Sequence, residues 1–123
     1  MEICKTTGRE CGHCMPGPCE HRRAVINKDE RQGILTAAID WYGSTHQVNM
    51  AIEEMAELTQ ALCKVKRAWS EEAIANIIEE MADVQIMLDQ LRLIYGQTAD
   101  IEAAKLLRLQ RRVINAQESR SAD

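Results

Sequence analysis

The sequence predicts an all-α protein. A four-helix antiparallel bundle is expected over residues 29–118, with a short cysteine-rich segment at 1–28 before it and a frayed tail at 119–123 after it. Three observations point there. Aromatics are only 3% of the 123 residues and Phe is absent, so the core must be built from Leu, Ile, Val, Met and Ala, a palette that favours helices over strands. Beyond about residue 28, apolar residues recur at helical spacing in four successive stretches. The joints between the stretches are short and polar, which makes sequential helices antiparallel neighbours.

Asp29 is a candidate cap for a first helix from about Glu30 to Tyr42, with Ile34, Leu35, Ala38, Ile39 and Tyr42 as its apolar face and Gly43 ending it. Ser44 or Thr45 opens a second helix that runs to about Ala68. Its stripe is Val48, Ile52, Met55, Leu58, Leu62, Val65 and Trp69. Ser70 caps a third helix, where Glu71 and Glu72 suit the positive end of the helix dipole, and Tyr95-Gly96 closes it. Thr98 or Asp100 opens a fourth that reaches roughly Gln117. Trp41 and Trp69, near helix ends, read as packing anchors. Cys63 reads as a small apolar residue within a helix, and His46 as a surface or capping residue.

Composition limits the functions on offer. Charged residues at 28% and hydrophobic ones at 46% are ordinary for a soluble globular chain. A net charge of −4, with no basic run interleaved with aromatics, speaks against nucleic-acid binding. No apolar run approaches a membrane span, and the N-terminus lacks the apolar core of a signal peptide, so a cytoplasmic location is expected.

Chemistry concentrates in two acidic phrases. Glu53-Glu54-Met55-Ala56-Glu57 reads EExxE on the second helix, and Glu79-Glu80-Met81-Ala82-Asp83 reads EExxD on the third. Carboxylates three or four apart share a helix side. On the third helix, Ile77, Val84, Met87, Leu88 and Leu91 all fall within about 80° of Glu80, with Asp83 at the edge of that sector. A carboxylate inside an apolar stripe is costly unless something compensates its charge. Glu80 and Asp83 are therefore the working pair, and Glu79 points to solvent. Glu54 and Glu57 flank the second helix's stripe, with Glu53 farther out. Converging carboxylates suit a hard divalent cation such as Mg2+. Lys64 and Arg67 follow EExxE, and Lys105 and Arg108 share a face of the fourth helix with Arg112. Any of them suits phosphate contact, although a solvated face is the commoner role for any single one.

Residues 1–28 hold four of the five cysteines, two of the three histidines and both prolines. Cys11-Gly12-His13-Cys14 has a spacing that lets two thiolates grip one zinc ion, and Cys4 with Cys19 (or His21) completes a tetrahedral set. The expectation is one structural Zn2+ held by Cys4, Cys11, Cys14 and Cys19. The competing reading is a thiol-rich tail without an ion.

The acidic phrases carry a resemblance. EExxE on one helix and ExxD on the next looks like the MazG-like all-α nucleoside triphosphate pyrophosphohydrolase superfamily, over about Asp40 to Leu91 and more loosely over the fourth helix. The resemblance implies that Glu53, Glu54, Glu57, Glu80 and Asp83 bind magnesium, and that a nucleoside triphosphate is cleaved to the monophosphate and pyrophosphate. It also implies a homodimer whose active site is lined by both subunits. Many members carry an Asn where Gln90 stands, and the cysteine-rich segment is no part of the family pattern. Within this reading, Glu54 or Glu57 is the candidate general base. Apolar stripes wide enough to exceed one small bundle, notably Ile74, Ile77, Ile78, Val84, Met87, Leu88 and Leu91, predict a homodimer or dimer of dimers. The alternatives are a helical adaptor with a zinc-stabilised docking segment, a nucleotide sensor without turnover, and a ferritin-like di-iron bundle. The last needs Glu-x-x-His on two helices, and neither acidic phrase ends in His.

Overall fold

Helix boundaries follow from residues that either satisfy or interrupt the backbone ladder. The computed structural model describes residues 26–122. In chain order these form α1 (Lys28–Tyr42), α2 (Ser44–Arg67), α3 (Glu71–Tyr95) and α4 (Ala99–Ser121), with no strand among the described residues. The chain divides into two units between Gly33 and Ile34, so α1 begins in the first and ends in the second. The cysteine-rich segment lies outside the described residues, apart from its last few positions.

The start of α1 differs from expectation. Asn27 rather than Asp29 is the cap: its Oδ1 accepts from the Glu30 N–H at 2.9 Å, and the Glu30 carboxylate accepts from the Asn27 N–H at 3.1 Å. This reciprocal pairing satisfies two orphan donors at once. Gly43 separates α1 from α2 at φ +88°, a left-handed conformation that only glycine adopts without strain. Its N–H reaches back to the Ile39 carbonyl at 2.8 Å. Ser70 caps α3 as expected, its hydroxyl accepting from the Ala73 N–H at 3.0 Å, a contribution of about 1 kcal/mol. Gly96 ends α3 at φ +140°.

At the corner that follows, Arg92 ties the two helices together. Its Nη1 pairs with Asp89 Oδ1 at 2.6 Å and its Nε donates to Thr98 Oγ1 at 2.8 Å, while the Thr98 hydroxyl donates to Glu102. The fourth helix passes its expected end near Gln117 and takes in Ser119 and Ser121 of the segment expected to fray. No Gly or Pro stops it, and the Ser119 and Ser121 hydroxyls bond back to the carbonyls of Asn115 and Gln117 instead of competing for the backbone.

Among the described residues, α2 and α3 pack directly on each other. Along α2 and α3, Gln47 lies opposite Gln90 and Glu57 opposite Glu80, so the two run antiparallel. Neither α1 nor α4 makes comparable contact with another helix of the described residues. The buried apolar residues among those described are Leu35, Ala51, Ala61, Ala73 and Met87. No residue of α4 is buried. The described residues are thus all-helical, with α2 and α3 packed on each other, Leu35 of α1 buried, and the apolar residues of α4 exposed. Trp41 and Trp69 are 84% and 71% exposed, so neither acts as the packing anchor its position suggested.

Candidate metal centre

Three carboxylates from two helices meet in the α2–α3 seam. Glu54 and Glu57 stand one turn apart on α2, and Glu80 approaches from α3. One oxygen from each lies within 4.8 Å of the other two. Glu54 and Glu80 are half-buried and Glu57 is exposed. One oxygen of Glu54 and one of Glu80 are shut off from solvent with no hydrogen-bond partner. Both groups are consequently held above the ordinary carboxyl range. Burial is the main cause for each; the charges of Glu57 and Asp83 add to it, as does Glu80 at Glu54 and Glu79 at Glu80. Asp83 therefore acts on the cluster by charge without joining the closest three.

An orphaned buried carboxylate oxygen is expensive, and a repulsive group of them more so. The two ordinary remedies are protonation and a cation. An all-oxygen donor set matches a hard divalent ion rather than zinc. In octahedral coordination at about 2.1 Å, adjacent ligand oxygens are about 3 Å apart and opposite ones about 4 Å. Oxygens already within 4.8 Å of one another come to that spacing by small side-chain rotations, so these residues fit such an ion.

The seam opens into a groove of about 680 Å³ whose lining includes Glu57, Glu80, Asn76, Cys63, Lys64 and Arg67. Two of the four basic residues singled out by sequence thus share a groove with the carboxylates. The other two, Lys105 and Arg108, lie on exposed α4, which does not pack on α2 or α3, and are not brought to the seam within one chain. Glu53 is exposed and outside the converging three. Cys63, expected to pack as a small apolar residue, is exposed at the groove wall. Cys4, Cys11, Cys14 and Cys19 lie outside the described residues.

The least visible feature from sequence is a buried amide pair. Gln47 and Gln90 are 6% and 3% exposed, the only buried polar residues among those described. Gln47 Nε2 donates to Gln90 Oε1 at 2.6 Å, and Gln90 Nε2 donates to Met87 Sδ at 3.5 Å. His46 Nδ1 donates to Gln47 Oε1 at 2.8 Å, which fixes its tautomer, and its ring stacks on Tyr42 with centroids 5.1 Å apart. The available signal was position: each Gln stands seven residues, two helical turns, from a carboxylate of the seam, Glu54 or Asp83. No family model, curated protein or solved structure matches the chain.

Proposed function

We propose that the protein is a Mg2+-dependent nucleoside triphosphate pyrophosphohydrolase of the MazG-like kind, converting a nucleotide and water to the monophosphate and pyrophosphate. The observation that carries this reading is the convergence of Glu54, Glu57 and Glu80 around two buried, unpartnered carboxylate oxygens. Glu54 and Glu80, with Asp83 one turn on, are the residues to hold the ion, and Glu57 stands beside them. When bound, magnesium supplies charge neutralisation on the phosphate oxygens and a template for them. Glu57, exposed and lining the groove, is open to water from solvent and suits the task of orienting it and taking its proton; Glu54, half-buried, suits a ligand. Lys64 and Arg67 in the same groove suit contact with the phosphate tail, Arg by a two-pronged contact. The test is pyrophosphate release from a panel of nucleoside triphosphates with and without Mg2+. Release that depends on the metal supports the reading; nucleotide binding without release turns it into a sensor; neither binding nor release sinks it.

The same reading includes a second copy of the chain. Ile78 and Met81 on α3 and Leu106, Leu109 and Val113 on α4 recur at helical spacing and are each about half exposed or more. Apolar stripes of this extent on a chain with so small a core support a homodimer or dimer of dimers. Lys105 and Arg108 on α4 then remain available to a partner's groove. Sedimentation at micromolar concentration is expected to give at least a dimer, and a monodisperse monomer would contradict this.

A further inference from the structure

We infer that the Gln47–Gln90 amide pair is the register lock of the α2–α3 seam, the positioning element that keeps Glu54 and Glu57 on the turns that face Glu80. The inference rests on the reading of those carboxylates as a cation site, and it concerns how the site is held together.

The fully buried apolar residues of the seam specify register weakly. Ala51, Ala61 and Ala73 each present a single methyl, a shape that fits a facing helix at more than one offset. Met87 is flexible and adapts to its surroundings. The carboxylates oppose the observed register, since without a cation their mutual repulsion favours any slip that separates them. Against this stands one directional, buried side-chain bond between the helices, the 2.6 Å contact from Gln47 Nε2 to Gln90 Oε1. A slip of one turn, about 5.4 Å, would leave both amides buried without each other. Buried polar pairs of this kind are a known way of fixing register between packed helices. His46 supports the arrangement from outside by donating to the one Gln47 oxygen that Gln90 does not use.

The test compares wild type with the near-isosteric double variant Gln47→Met/Gln90→Met, which keeps side-chain length and removes the bond. Spin labels carried by unnatural keto amino acids at Asn49 and Ala75, both exposed, leave the native cysteines untouched. Dilution with unlabelled chain suppresses distances between copies. The double variant is expected to keep its helical circular dichroism and melt no lower than wild type, because apolar replacement of both partners is near neutral. Its Asn49–Ala75 distance is expected to shift by up to a turn or spread over several values, and its Mn2+ affinity to fall roughly 10-fold or more. An unchanged, sharp distance overturns the inference, even if affinity falls. Absence of Mn2+ binding in wild type would defeat the cation reading, while the distance comparison still decides the register lock. Should the double variant fail to fold, Gln90→Glu and Gln90→Met carry the comparison. The first keeps an oxygen that accepts from Gln47 Nε2 and is expected to hold the wild-type distance. Equal distances in the two overturn the inference.

Discussion

Glu80→Gln is expected to lower Mg2+-dependent pyrophosphate release by roughly 100-fold or more while leaving helical content unchanged. The substitution keeps the shape of the side chain and removes one of three converging charges. It also replaces a buried, unpartnered carboxylate oxygen with a group that costs less to bury. The variant should therefore melt higher than wild type in the absence of metal at neutral pH and gain less from added Mg2+. The opposing signs separate loss of a ligand from loss of the fold, which would lower both. Glu79→Gln is the control: Glu79 is exposed, acts on Glu80 only through its charge, and its removal should leave activity within a factor of about 2. Equal activity in wild type and Glu80→Gln would remove Glu80 from the mechanism.

Metal-free protein should lose stability as pH rises above the ordinary carboxyl range, and Mg2+ should cancel that loss. Glu54 and Glu80 sit above the ordinary carboxyl value of 4.5 in the folded state, chiefly through burial. The folded chain thus holds these protons more tightly than the unfolded one. Their contribution is fully present below the unfolded pKa and is lost as pH rises through the folded pKa values, where burial and repulsion act on ionised groups. A divalent cation binds the ionised form, so its stabilisation grows over the same window. It reaches about 2.7 kcal/mol when Mg2+ is 100 times its dissociation constant. Other carboxylates titrate too, so the quantity to plot is the difference in melting temperature between wild type and Glu80→Gln. A difference that is flat with pH in metal-free buffer would show that the cluster is not strained in solution.

Much of the helical layout was legible because punctuation residues act locally. Gly43, Ser70 and Gly96 mark their boundaries through backbone conformation or a single hydroxyl bond, and neither depends on distant packing. Asn27 was missed in favour of Asp29 because both are good caps. The reciprocal bonds form between Asn27 and Glu30, although Gln32 stands at the same offset from Asp29. Glu80 was legible as a carboxylate among Ile77, Val84, Met87 and Leu91. Glu53 entered the expected ligand set through the family resemblance; it is exposed and lies outside the converging three. Lys105 and Arg108 were unreadable for another reason: whether a basic face meets the carboxylates is a matter of tertiary or quaternary contact, which helical periodicity does not encode. Gln47 and Gln90 escaped because glutamine is ordinarily a surface residue, and only their pairing across 43 positions makes burial affordable.

Ala51, Ala61 and Ala73 have a consequence beyond the size of the core. Methyl side chains let two backbones approach closely, and backbone separation sets how far a carboxylate must reach to meet its counterpart. In a chelator this is the bite, and bite selects ionic radius. Magnesium oxygens stand at about 2.1 Å and calcium oxygens at about 2.3–2.6 Å, with more of them. Widening the seam should therefore move preference toward the larger ion before it abolishes binding. Ala61→Leu, at a buried position on the groove wall, is the substitution to make. It is expected to cost about 1–3 kcal/mol in overpacking and to lower the Mg2+-to-Ca2+ affinity ratio. A ratio unchanged in a folded variant would mean that side-chain rotation, not helix spacing, sets the bite. By this account the smallest residues of the seam, none of which touches a ligand, choose the ion.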